Sequence, residues 1–81
     1  MKKLKPVTTE KAVMKIEIEN TLSFVVDKKA NKSEIKKQIE DIFEVEVEKV
    51  KTLIRNNKKY AYVKLKPKFK AIDLATKLGV M

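Results

Sequence analysis

Cysteine and histidine are both absent from the chain. Without cysteine there can be no disulfide bond and no thiolate metal ligand, and without histidine the commonest nitrogen ligand and the usual general base are missing. Only carboxylates, lysines and tyrosines remain as groups for acid–base chemistry. The composition therefore predicts a protein that is not an enzyme and that uses no metal and no cofactor.

Glycine and proline are scarce, with one glycine and two prolines, whereas 38% of the 81 residues are charged. This balance favours a single ordered domain over residues 1–81, with short turns rather than flexible linkers. No apolar run approaches the roughly 18 residues of a membrane-spanning helix, and the N-terminus lacks the apolar stretch of a signal peptide. We therefore predict a soluble intracellular domain.

Positive charge exceeds negative charge by nine, with 20 Lys/Arg against 11 Asp/Glu. Nine of the cations, and none of the acids, lie between Lys49 and Lys70, so that the rest of the chain is balanced at eleven of each sign. A strongly basic domain attracts acidic partners, either nucleic acid or an anionic membrane. The segment from Lys49 to Lys70 is where such a partner is expected.

Residues 31–43 carry the clearest helix signal. Their apolar residues stand at positions 35, 39, 42 and 43, which places them on one helical face. The side-chain oxygen of Asn31 can accept a hydrogen bond from a backbone amide of the first turn, while the Glu34 side chain accepts one from the Asn31 amide, as in a capping box. The pattern predicts a helix that begins after Asn31 and packs its apolar face on a sheet.

The N-terminal third alternates between helix and strand signals. Residues 1–7 suit either a short edge strand or a loose arm, because Pro6 is tolerated only at a sheet edge. A helix is predicted from Thr8 to about Ile18, with a hydroxyl cap at its start. Residues 22–26 are rich in β-branched and aromatic side chains and are predicted to form a central strand.

A hairpin and a small helix are predicted for the rest of the chain. The apolar parity shifts between Val47 and Val50, which indicates a bulge or a turn. Asn56 and Asn57 can take the positive φ angles of a two-residue hairpin turn. Apolar residues at helical spacing over 71–78 lead to Gly79, a natural C-terminal cap.

This order of elements predicts the fold class. The hairpin strands can pair with residues 22–26 in an antiparallel sheet of three to four strands that is sandwiched by helices. We therefore predict a small α+β fold, a variant of the ferredoxin-like α/β plait.

A nucleic-acid-binding face is predicted from the hairpin. Strand alternation puts Lys49, Lys51 and Arg55 on the same side as Tyr60 and Tyr62, together with Lys64 and Lys66, and Leu53 is the one apolar residue among them. Cations interleaved with tyrosines suit phosphates, riboses and exposed bases. Three more lysines lie near the predicted helix start at Asn31, where amides also favour phosphate. The candidate RNA-binding residues are Lys5, Lys28, Lys29, Lys32, Lys51, Arg55, Asn56, Lys58, Lys59, Tyr60, Tyr62 and Lys64.

Other interpretations of the same residues remain open. The acids Glu40, Asp41, Glu44, Glu46 and Glu48 are spread over a helix face and a turn without histidine, so we interpret them as a solvated face rather than a metal site. The lysines could belong to a protein adaptor with a solvated lysine face. They could equally serve a free-standing chromatin-type nucleic-acid-binding protein.

Four separated motifs narrow the choice. They are Lys-Pro-Val-Thr-Thr-Glu-Lys-Ala at 5–12, Phe-Val-Val at 24–26 followed by Ala-Asn-Lys-Ser-Glu-Ile-Lys at 30–36, Ile-Phe-Glu-Val-Glu-Val at 42–47, and Val-Lys-Thr at 50–52. In this order they resemble the large-subunit ribosomal protein family L-twenty-three. The resemblance runs through most of the chain, and it implies an antiparallel sheet with helices on both sides, whose first short strand is residues 4–7.

The resemblance also implies a function. Members of the family bind large-subunit ribosomal RNA beside the mouth of the polypeptide exit tunnel and offer a docking surface to factors that meet the nascent chain. The family's exit-site glutamate corresponds to Glu10, which is expected to face those factors rather than the RNA. A cytoplasmic, ribosome-bound location follows from the same resemblance.

The hairpin tip points to one branch of the family. Bacterial members carry a long basic insertion between the hairpin strands, whereas this chain has only residues 55–58 there. Together with the missing basic N-terminal extension of eukaryotic members, this resembles the archaeal branch. The partners this implies are the signal recognition particle, the protein-conducting channel and the neighbouring ribosomal protein L-twenty-nine.

Overall fold

One antiparallel sheet of four strands, in the order β1-β2-β4-β3, organises the molecule. The computed structural model describes residues 4–79, and the interpretation of residues 1–3 as an arm lies outside this range. Within it, no helix combines the length and apolar character that crossing a membrane requires. The elements are β1 Leu4–Pro6, α1 Glu10–Glu19, β2 Thr21–Val26, α2 Lys32–Phe43, β3 Val47–Arg55, β4 Lys58–Leu65 and α3 Ala71–Leu78.

The core fills one face of this sheet. Phe24 and Val63 from the central strands are almost completely buried, and Ile35 and Ile39 of α2 and Leu74 of α3 pack into the same cluster. Burial of this apolar surface is the main force that holds the two helices against the sheet.

The other face of the sheet carries α1. The ammonium of Lys15 lies over the ring of Tyr62, which points away from the core, and Ala12 on the same side of α1 is buried. Helices therefore lie on both sides of an antiparallel sheet, which confirms the predicted α+β sandwich. The element order β-α-β-α-β-β-α, in place of β-α-β-β-α-β, makes it a variant of the ferredoxin-like plait.

The helix boundaries follow the capping residues. Asn31 Oδ1 accepts from the Glu34 amide at 2.8 Å and Glu34 Oε1 accepts from the Asn31 amide at 3.2 Å, so the predicted capping box is confirmed. Thr9 Oγ1 accepts from the Ala12 amide, and α1 begins one residue later, at Glu10.

The bulge and the hairpin turn are also confirmed. The β3–β4 register shifts between Val47 and Lys49, at the point where the apolar parity changes. Asn56 and Asn57 have φ angles of 51° and 62°, in the left-handed region that Asn tolerates. Pro6 lies in β1, at the edge of the sheet, where its missing N–H does not interrupt a ladder.

Asn20 joins two distant parts of the chain. With φ at 55°, it ends α1 and turns the chain into β2. Its Nδ2 donates to the carbonyls of Leu65 at 3.1 Å and Phe69 at 2.9 Å, and its Oδ1 accepts from the Ala71 amide at 2.6 Å. Lys70, at the start of α3, provides no side-chain oxygen to accept a hydrogen bond from the first turn of the helix. Asn20, 51 positions before Ala71, provides this acceptor instead.

Candidate nucleic-acid interface

The strand register places the predicted cations and tyrosines together. Lys51 lies opposite Tyr62 and Leu53 opposite Tyr60 in the β3–β4 pair, and these side chains point away from the core. Leu53 is half-buried among them, as expected. We call this surface the basic face and define it as Lys49, Lys51, Leu53, Arg55, Lys58, Tyr60, Tyr62 and Lys64.

Two grooves open where α1 crosses the basic face. One has a volume of about 430 Å³ and runs along β3, where Lys49, Lys51 and Lys64 line it. The other, about 770 Å³, lies between α1 and the hairpin, and we call it the α1–hairpin groove. Its lining consists of Val7, Thr9, Glu10, Lys11, Ala12, Lys15, Ser23, Arg55, Tyr60 and Tyr62.

Lys15 and Tyr62 line both grooves and meet between them. The Lys15 ammonium lies 5.3 Å from the centroid of the Tyr62 ring, within the range of a cation–π interaction. Sequence analysis missed Lys15 as part of this face, because nothing in the local pattern of α1 tells which strand the helix covers.

Three cations of β4 and the segment that follows it are already paired with acids. Lys64 lies 3.5 Å from Glu48, and Glu46 lies 3.3 Å from both Lys66 and Lys68. The hydrogen bonds that Lys66 and then Lys68 donate, together with their charges, hold the pKa of the Glu46 carboxyl below its ordinary value. These acids therefore neutralise part of the charge that the sequence concentrates in this segment.

The remaining acids of the predicted solvated face fall into two groups. Asp41 and Glu44 are exposed, as expected, but Glu40 Oε2 accepts from the Val47 amide at 2.9 Å and so holds the start of β3. Among residues 4–79 no cluster of acids is arranged to hold a metal ion.

Four cations of the basic face are available to an anionic partner. Lys49, Lys51, Arg55 and Lys58 are all exposed, and within residues 4–79 none of them forms an ion pair. Lys5 belongs to the same side of the sheet, because it stands in one cross-strand row with Val25 and Tyr60.

The other predicted RNA-binding residues lie at the end of the sheet. Lys28 and Lys29 are exposed in the turn after β2, and Lys32 is the exposed first residue of α2. Since Val26 pairs with Lys59 next to the hairpin turn, Lys28 and Lys29 lie at the same end of the sheet as that turn. Asn56 is exposed in the turn itself.

Lys59 is separated from the other candidates. It pairs with Val26 and Ile54 on the core side of the sheet, and its ammonium donates to the carbonyl oxygen of Ala30 before α2. The structure therefore gives Lys59 a structural contact and does not bring it to the basic face.

Glu10 is exposed at the start of α1 and lines the α1–hairpin groove together with Arg55 and Tyr60. We had expected Glu10 and the RNA-binding residues on separate surfaces, but the first turn of α1 brings Glu10 beside the hairpin. The same stripe of the helix continues through Met14 and Ile18, which are 57% and 74% exposed although both are apolar.

Comparison with known proteins identifies the family of the chain. A family model described as "Ribosomal protein L23" matches residues 2–72. The "Large ribosomal subunit protein uL23" of Trypanosoma brucei brucei is 49% identical over 77 residues, which cover 94% of this chain and 47% of that protein. The chain thus spans about half the length of this relative. With a family model matched over most of its length, the chain belongs to the ribosomal protein L23 family.

Proposed function

We propose that the chain is a structural constituent of the large ribosomal subunit, cytoplasmic and ribosome-bound, and that its basic face binds large-subunit ribosomal RNA. The alignment of unpaired cations with Tyr60 and Tyr62 on one side of the sheet carries this proposal. Membership of the ribosomal protein family supports it. No catalytic step is part of the proposal.

The basic face suits RNA on physical grounds. Lys49, Lys51, Arg55 and Lys58 are exposed, so they can neutralise phosphates without first breaking an ion pair. Tyr60 and Tyr62 are half-buried, with ring surface available to stack on a base or to contact a ribose. Positive charge would provide affinity and the rings would favour unpaired nucleotides.

A second part of the proposal concerns docking. By the resemblance to the family, the chain would lie beside the polypeptide exit tunnel, next to ribosomal protein L-twenty-nine. There it would receive the signal recognition particle and the protein-conducting channel. The exposed stripe of Glu10, Met14 and Ile18 on α1 supports a protein contact, because exposed apolar side chains in a row favour association.

RNA binding by the chain should depend steeply on salt. If about five phosphates are neutralised, log K should fall with log salt with a slope of about 3.5 to 4.5, at roughly 0.7 to 0.9 per phosphate. Fluorescence anisotropy with a labelled ribosomal RNA fragment, over a tenfold range of salt from about 50 to about 500 mM, would measure this slope. A flat response would contradict electrostatic binding by the basic face.

Arg55 and Lys59 should differ, although each is a single charge beside the hairpin turn. Arg55→Ala is expected to lower the salt slope by about 0.7 to 0.9, because Arg55 is exposed and contacts phosphate in our proposal. Lys59→Ala is the matched control and should leave the slope unchanged. It should instead lower the free energy of unfolding by about 1 to 3 kcal/mol, through loss of the charged hydrogen bond to Ala30. Equal slopes for the two variants would contradict this assignment.

Glu10→Ala should leave incorporation into large subunits intact while weakening capture of the signal recognition particle. The reason is that removal of one exposed charge alters attraction of a protein partner without removing a cation from the RNA contacts. Ribosome occupancy and particle binding would be measured on the same preparations, with Glu17→Ala, which removes an exposed acid of the same helix outside the groove, as the control. If large subunits lacked the Glu10→Ala variant, Glu10 would belong to the RNA interface instead.

Sedimentation separates the ribosomal role from its alternatives. The chain is expected to travel with large subunits after a high-salt wash. A chromatin-type protein would leave them and bind duplex nucleic acid, and an adaptor would leave them without binding nucleic acid.

A further inference from the structure

The floor of the α1–hairpin groove contains an unsatisfied hydroxyl. Ser23 is only 5% exposed, and among the described residues its Oγ has no hydrogen-bond partner. Buried hydroxyls are normally paired, because an unpaired one loses the hydrogen bonds it would make to water. Ser23 therefore stands out as a polar group without a structural role at the bottom of a groove.

The walls of the groove combine aromatic and cationic groups. Tyr60 and Tyr62 contribute rings, and Lys11, Lys15 and Arg55 contribute charges. The volume of about 770 Å³ falls within the range of small-molecule sites, about 300 to 1,000 Å³. The groove is therefore large enough for one nucleotide.

Lys15 occupies the position that a stacked base would take. Its ammonium lies over the ring of Tyr62, at 5.3 Å from the centroid. A lysine side chain is long and flexible, and a cation–π contact at a partly exposed site is weak. Its ion pair with Glu19, at 3.6 Å on the same helix, is also partly exposed and contributes little. Lys15 can thus leave both the ring and Glu19 when an aromatic base competes for the ring, and its charge then becomes available to a phosphate.

We propose that the α1–hairpin groove receives one unstacked nucleotide of the bound RNA. The base stacks on Tyr62, the Ser23 hydroxyl hydrogen-bonds to the edge of the base, and Arg55 and the displaced Lys15 contact the adjoining phosphates. This inference rests on the proposed RNA binding and specifies which part of the RNA the face selects. Because Ser23 is buried in the free protein, side chains that line the groove must move before the base reaches its hydroxyl.

Glu10 argues for a base rather than a phosphate inside the groove. It is the one carboxylate of the lining and would repel a phosphate placed beside it. A base is uncharged and meets no such repulsion, whereas its adjoining phosphates can lie on the side of Lys15 and Arg55.

The test uses two RNA hairpins that differ by one bulged nucleotide. The chain should bind the bulged hairpin about tenfold more tightly than the fully paired one, in the range measured for stacking of one base on an aromatic side chain. Tyr62→Leu should bring this ratio close to one. Ser23→Ala should lower the ratio about two- to tenfold, as expected for one hydrogen bond. Since the Ser23 hydroxyl has no partner in the free protein, that variant should not lose thermal stability.

Lys49→Ala is the matched control, because Lys49 is exposed on the basic face but does not line the groove. This variant should bind both RNA hairpins more weakly by the same factor, so that the ratio of the two affinities is unchanged. Equal affinity of the unmodified chain for the two hairpins would overturn the inference while leaving the proposed RNA binding in place. Absence of salt-dependent binding to either hairpin would instead refute the proposed function. AMP should compete only weakly, and competition as strong as that of the bulged hairpin would make this a site for free nucleotides.

Discussion

Ile39→Ala is expected to lower the free energy of unfolding by about 2 to 5 kcal/mol, the range observed when a buried aliphatic side chain is truncated to alanine. Ile39 is completely buried between α2 and the sheet, in the same cluster as Phe24 and Val63. Its removal leaves a cavity that the strands and α2 can only partly close. For a domain with a total stability of roughly 5 to 15 kcal/mol, this is a large fraction.

Urea denaturation followed by circular dichroism would measure the loss. Ile42→Ala is the matched control, because it makes the same change three residues later on the same helix, at a side chain that is 50% exposed. It should cost less than about 1 kcal/mol. Equal losses at the two positions would show that the apolar face of α2 has been assigned wrongly.

Asn20→Ala should cost on the order of 3 to 6 kcal/mol, because the loss of three side-chain hydrogen bonds, at roughly 0.5 to 1.5 kcal/mol each, adds to a backbone strain of about 1 to 2 kcal/mol. The change leaves the Leu65 and Phe69 carbonyls and the Ala71 amide without this partner. It also places alanine at a φ of 55°, a conformation that residues other than glycine, asparagine and aspartate seldom adopt.

Asn57→Ala separates the loss of side-chain hydrogen bonds from the backbone strain. Asn57 has a φ of 62°, close to that of Asn20, but it is exposed in the hairpin turn and forms no side-chain hydrogen bond within residues 4–79. Its substitution should cost only the backbone strain, about 1 to 2 kcal/mol. Thermal unfolding of both variants would measure the difference. If Asn57→Ala destabilised the chain as much as Asn20→Ala, the three hydrogen bonds would contribute nothing.

The parts of the fold that were predicted from sequence are those set by neighbouring residues. A capping box at Asn31 and Glu34 spans three positions, and the left-handed pair Asn56 and Asn57 specifies its own turn. The shift of apolar parity before Val50 marks the bulge for the same reason, because side-chain direction alternates along each strand.

Contacts between distant residues could not be predicted in this way. Nothing in the residues next to Asn20 indicates that its side chain bonds to residues 45 to 51 positions away. The neighbours of Lys15 and Glu10 depend on where α1 lies over the basic face. The pattern of residues in α1 does not predict that position. Lys59 illustrates a further limit, because a lysine beside a basic turn looks exposed until the partner carbonyl of Ala30 is known.

The edge strand β3 has a consequence for the behaviour of the chain in isolation. It is nine residues long and pairs only with β4, so its outer backbone groups can accept a strand from a second molecule. Lys49 and Lys51 on this edge repel an identical strand, and the bulge after Val47 disturbs its regular register. Salt screens that repulsion as well as the attraction to phosphate. A rise in salt that weakens binding of the isolated chain to an RNA fragment should therefore also promote its self-association.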